Sequence, residues 1–144
     1  MSPKEITDRM LVPWSKLVRR SLVRKYRLAF DEVMVSNDIF FCACVSHFST
    51  NIKKSNSSFY LVEENSEGLT KKRDKESLVT RVAMLNKLND FYIGNGNYGS
   101  CNLKYVPLIR LAKVNFFSAL LVSPSVLSII GRWFFCVFKF KGKK

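Results

Sequence analysis

Residues 114–140, VNFFSALLVSPSVLSIIGRWFFCVFKF, decide the fold, because two different structures suit them. No charged residue occurs from Val114 to Gly131, which is long enough for a helix that crosses a membrane. The basic ending KFKGKK would serve as its positive flank. Against a crossing stand Ser118, Ser123, Ser125 and Ser128, Pro124 in the middle, and the interruption Gly131-Arg132. Phe and Val favour strands, and Ser123-Pro124-Ser125 favours a turn. The expectation is a pair of short buried strands, Phe116 to Val122 and Arg132 to Phe140. A membrane span over about 114–138 is the alternative.

Upstream, residues 74–107 read as helix, turn and strand. Leu78, Val79, Val82, Leu85, Leu88 and Phe91 recur at spacings of three and four and form one apolar stripe. Asp74 or Ser77 suits the cap, and the Gly/Asn run from Gly94 to Gly99 stops the helix. Cys101 to Val106 then reads as a short strand with Leu103 and Tyr105 on one face. A helix, a glycine-rich turn and a strand imply an α+β unit packed on the apolar C-terminal third. The division expected is a basic helical extension over 1–40, an α/β subdomain over 41–107 and a mainly β C-terminal subdomain over 108–144.

The chain has 144 residues, 47% of them apolar, with 24 Lys and Arg against 11 Asp and Glu, a net charge of +13. That balance points to a polyanion, nucleic acid or an anionic membrane surface. The abundance of Phe, Lys, Asn and Ser hints at an AT-rich, organellar coding sequence. Cys42, Cys44, Cys101 and Cys136 lack the spacing of a secreted disulfide framework. Cys42, Cys44 and His47 form C-x-C-x2-H, but inside an apolar run the thiols are expected buried and reduced rather than metal-bound. His47 is the only histidine, and neither a phosphate loop nor a catalytic set accompanies it. No enzyme activity, metal or cofactor is expected.

Towards the N-terminus, Ser2-Pro3-Lys4-Glu5 is a capping box with proline at the first helical position. Trp14 to Val35 reads as a longer helix with Val18, Leu22, Tyr26, Phe30 and Val33 on one side. Arg19, Arg20 and Arg24 cluster with other cations on the opposite side, a face suited to RNA, an acidic partner or a membrane. Ile39 to Val45 reads as a strand or the opening of another helix, and Phe59 to Val62 as a strand before a charged loop.

In this order, the pieces from about Val45 to Phe138 resemble the bacterial and organellar family of small-subunit ribosomal protein S eight. The family's D-M-L-T-R-I-R-N-A is similar to residues 47–55, HFSTNIKKS, which keep Thr50, Ile52 and a basic Lys53. Tyr92-Ile93 ends a helix as the family's second helix ends, and Leu103-Lys104-Tyr105 is similar to its L-K-Y. Residues 108–115, LIRLAKVN, resemble I-K-R-I-S-K-P-G with Arg110 and Lys113 keeping the positive charge. S-T-S-K-G falls on residues 123–127, SPSVL, with both serines kept and the lysine and glycine replaced. The closing G-G-x-x-L-C-x-V looks like residues 130–137, IGRWFFCV. The resemblance implies a non-catalytic structural protein of the small ribosomal subunit, in the mitochondrial matrix, that supports assembly. Its partners would be ribosomal RNA and neighbouring small-subunit proteins. The RNA contacts it implies are Asn51, Lys53, Lys54 and Asn56, Arg110 and Lys113, and Ser123 and Ser125 on a tight turn against the minor groove. Arg19, Arg20 and Arg24 of the extension would add to them. The alternative is a small membrane-complex subunit with one transmembrane helix.

Overall fold

A computed structural model describes residues 10–58, 60–63 and 68–141. Within them every regular element is helical and no strand occurs, so the expected α+β fold with a mainly β C-terminal subdomain is corrected to an all-helical one. The chain divides into two compact units, residues 1–71 and residues 72–144.

In the first unit, a 3₁₀ turn, Pro13–Ser15, precedes helix α1, Arg20–Lys25, and helix α2, Ile39–Phe48. The long helix expected over Trp14 to Val35 is thus reduced to six residues. Arg20 and Arg24 lie four apart and repel along one face, and so short a helix is marginal without packing. Arg27, with φ of 50°, turns the chain away in the left-handed region. By contrast, α2 resolves the ambiguity at Ile39 in favour of helix. Cys42, Ala43, Cys44, Val45 and Ser46 are buried in succession, so this helix is covered all round. Tyr26 stacks on Phe48 with ring centroids 4.0 Å apart, and Phe30 stacks on Phe41 at 4.4 Å. The capping box at residues 2–5 lies outside the described residues. Of the strand expected at Phe59 to Val62, Phe59 also lies outside them. Tyr60 to Val62 form no strand, being exposed with no edge to pair on.

The second unit is a three-helix arrangement of α3, Lys75–Gly94, α4, Val106–Val114, and α5, Phe116–Lys141. Asp74 caps α3, its two carboxylate oxygens accepting from the Ser77 N–H at 2.9 Å and the Ser77 hydroxyl at 2.8 Å. The helix ends as its composition dictates, with Gly96 in the left-handed region at φ 70° and the Asn97 N–H donating to the Tyr92 carbonyl. Leu78 of α3, Leu111 of α4 and Ala119 of α5 meet in one buried cluster, flanked by Val79, Leu108 and Val122. Asn86 reaches Ser125 and Asp90 pairs with Arg132, so α5 runs parallel to α3, with α4 returning between them.

Two expected strands in this unit are corrected. Of the strand expected at Cys101 to Val106, residues 101–105 are a loop and Val106 opens α4, because Pro107 takes an early helical position that needs no N–H donor. Residues 116–122 and 132–140 belong to a single helix that passes through Pro124. Proline removes the N–H that would meet the Leu120 carbonyl and normally kinks or ends a helix. Here the Ser123 hydroxyl donates to that carbonyl at 2.9 Å, and the Ser125 hydroxyl donates to the Val122 carbonyl at 2.7 Å. Ser123, which favours a turn in sequence, thus satisfies the carbonyl that the proline leaves open, and Ser125 adds a bond to its own helix backbone.

Candidate functional site

Three features of the folded chain offer chemistry. The first is the outer face of α5. Ala119, Val126 and Ile129 are buried against the unit, while Phe117, Leu121, Leu127 and Phe135 are 76%, 82%, 65% and 68% exposed. The face is free of charge from Phe116 to Gly131, and Phe116 to Val137 is long and apolar enough to cross a membrane. Arg132, the first charge on α5, is paired with Asp90 of α3. A soluble monomer rarely leaves so continuous an apolar surface uncovered.

The second is a buried polar latch that fixes α5 in register. Asn89 is fully buried. Its amide donates to the Asn102 carbonyl at 3.0 Å and the Tyr105 hydroxyl at 3.1 Å, and its carbonyl oxygen accepts from the Asn102 N–H at 2.8 Å. Tyr105 in turn donates to the Asn86 side-chain carbonyl at 2.7 Å, and Asn86 donates to the Ser125 hydroxyl at 2.9 Å. Tyr105 occupies the left-handed region at φ 43°, a strained place for a side chain of its size, and burial raises the pKa of its hydroxyl. The sequence carries one signal for this network: Asn86 and Asn89, three residues apart on α3, directly follow Leu85 and Leu88 of its apolar stripe.

The third is a groove of about 880 Å³ in the first unit, between α1 with its preceding segment and residues 48–55. Lys16, Arg19, Lys25, Lys53 and Lys54 line it, and among the described residues no acidic one does. Arg19, Lys25, Lys53 and Lys54 are exposed. Lys16 is held lower down, donating to the carbonyls of Met10 and Val12, and burial lowers the pKa of its amine.

The residues singled out for RNA are dispersed between these features. Arg19, Asn51, Lys53 and Lys54 come together in the groove. Arg20, Arg24 and Asn56 are exposed but do not line it. Arg110 and Lys113 are exposed on α4, in the other unit. Ser123 and Ser125 sit on a helix rather than a tight turn, with their hydroxyl protons committed to α5's own backbone. Lys16 and Lys25 join the groove although the sequence pattern gave no reason to separate them from their basic neighbours.

The four cysteines are free thiols. Cys42 and Cys44, two apart on a helix, do not share a face as they would on a strand. Burial pushes the thiols of Cys42 and Cys101 up to about 11 each. Among the described residues, no three His, Cys, Asp or Glu side chains are grouped to hold a metal ion. Compared with protein-family models, with curated proteins and with solved structures, the chain matches none.

Proposed function

We propose that this chain is a small, non-catalytic membrane-attached subunit, seated through α5. The observation that carries the proposal is the charge-free, exposed apolar face of α5 from Phe116 to Gly131. The seat is along the membrane rather than across it. The 22 residues from Phe116 to Val137 span about 33 Å, enough to cross the apolar layer. However, Asn86 of α3 is bonded to Ser125 near the middle of that stretch, and the next residue, Lys87, is exposed. Carrying the packed unit across would place that ammonium at mid-depth, at a cost of about 3 kcal/mol or more. With α5's outer face lowered into the apolar boundary, Lys87 and the exposed Arg110 and Lys113 of α4 stay in water.

Vesicle flotation of the full chain tests this. The wild type floats with phosphatidylcholine vesicles in about 0.5 M salt, where surface attraction is screened. Leu121→Glu with Leu127→Glu, both on the exposed face, lowers the floating fraction at least tenfold, an order-of-magnitude expectation from lost apolar burial, while leaving helix content unchanged. Wild-type protein that stays at the bottom, or a double variant that floats equally well, rejects the seat.

One observation favours a second reading. Arg19, Asn51, Lys53 and Lys54 share a groove in a chain of net charge +13, as a ribosomal RNA-binding protein of the mitochondrial small subunit would use them. That proposal predicts co-sedimentation with small ribosomal subunits that collapses on ribonuclease treatment. Sedimentation unaffected by ribonuclease rejects it.

A further inference from the structure

The groove of the first unit is more than a concentration of charge. Beneath the exposed cations its wall is apolar, formed by Val18, Leu22, Val45, Phe48 and Ile52, of which Val45 is buried and the others half-buried. Nucleic-acid phosphates need cations and gain nothing from Val18, Leu22, Val45 and Ile52, while the groove's two rings, Tyr26 and Phe48, are stacked on each other rather than offered to a base. An acidic peptide or free phosphate would likewise leave that wall unfilled. A ligand that matches both surfaces has an anionic phosphate at one end and a hydrocarbon chain at the other. The volume of about 880 Å³ admits a headgroup with part of its chains. We propose that this groove binds a single anionic phospholipid, its phosphate held by Arg19, Lys53 and Lys54 and its acyl chains laid against Leu22, Val45 and Ile52. Arg19 supplies a planar fork for two phosphate oxygens, and Lys53 and Lys54 supply mobile point charges.

The test uses the full chain and short-chain lipids below their micelle concentration, so that no bilayer is present and α5's seat does not enter. Titration calorimetry with dihexanoyl phosphatidic acid is expected to show binding about tenfold tighter than with dihexanoyl phosphatidylcholine. Arg19→Gln with Lys53→Gln and Lys54→Gln, all at exposed positions, loses at least about tenfold, whereas Arg20→Gln with Arg24→Gln, equally basic but outside the groove, stays within about twofold. Ile52→Asn lowers affinity for the lipid about fivefold and leaves that for inorganic phosphate unchanged. Lysine acetylation footprints provide a second readout, with Lys53 and Lys54 protected by the lipid. Equal affinity for the two lipids, equal losses in the two charge variants, or insensitivity to Ile52→Asn overturns the proposal. An RNA oligonucleotide that outcompetes the lipid in both wild type and Ile52→Asn overturns it in favour of nucleic acid. Because flotation reads α5 and this titration reads the groove, either can fail without the other.

Discussion

Asn89 shows how one side chain commits a loop. Replacing it by alanine removes the partner of the half-buried Asn102 N–H and carbonyl bonds. It also removes one of the two partners of the buried Tyr105 hydroxyl, which still donates to Asn86, and leaves a void where Asn89 is fully buried. Asn89→Ala is therefore expected to cost about 3 kcal/mol, measured by urea unfolding, with the Tyr105 near-ultraviolet signal weakened. Asp74 has a different pH signature. Bonds from the Ser77 backbone and hydroxyl hold its carboxyl below the usual range. A depressed folded pKa means that the unfolded state binds the proton first, so this stabilisation is full above the ordinary carboxylate pKa and is lost as pH falls below it. Asp74→Ala should lower Tm by about 5 °C at pH 7 and by much less at pH 3. The thiols run the other way. Folding keeps Cys42 and Cys101 protonated up to about pH 11, so unfolded thiols release their protons first and stability falls as pH rises from about 9 towards 11. At pH 8 alkylation of these two in the folded chain should be roughly 100-fold slower than in urea, as peptide mapping would show.

At the scale of the element, α5 is a helix that its own sequence argues against. Ser123→Ala uncovers the Leu120 carbonyl beside Pro124 and is expected to destabilise the second unit by about 1 kcal/mol. Pro124→Ala restores an N–H at that point, so adding it to Ser123→Ala should recover wild-type stability or exceed it; a simple sum of two losses would show that the serine does not compensate the proline. This explains what was legible. The three-and-four spacing from Leu78 to Phe91 and the break from Gly94 to Gly99 mark α3, because period and punctuation agree there, with the cap left between Asp74 and Ser77. In residues 116–140 they disagree. Turn residues inside an apolar run point to two strands, and only the local hydroxyl-to-carbonyl bonds, invisible to residue counting, reverse that. Tyr105 misleads similarly: paired with Leu103 it alternates like a strand, yet its role is to reach Asn86 and Asn89 across a helix start. The long N-terminal helix is cut short by its backbone, extended at Lys16 and Arg19 before α1 and left-handed at Arg27 after it, so the stripe from Val18 to Val33 never lies on one helix.

For the whole molecule, two surfaces differ in charge, a cationic groove over an apolar wall in one unit and an uncharged helix face in the other. Binding to vesicles that contain anionic lipid should accordingly divide into two parts. One falls with salt and follows Arg19, Lys53 and Lys54; the other persists at high salt and follows Leu121 and Leu127. Co-flotation across a salt series with the two variant sets separates them, and a single component abolished by salt would contradict the division. The ribosomal resemblance, which rests on the order of segments, loses its turn motif to α5, while three of its assigned contacts, Asn51, Lys53 and Lys54, share the groove with Arg19 of the extension. One joint shapes how the second unit responds to load. A single residue, Asn115, separates α4 from α5; its N–H closes α4 on the Leu111 carbonyl, and its side chain accepts from Ser118 at the start of α5. There is no slack between the two helices. Tension on a lipid-held α5 would pass directly to α4 and the core at Leu111, so the unit would yield as one piece, at a single force, rather than peel helix by helix.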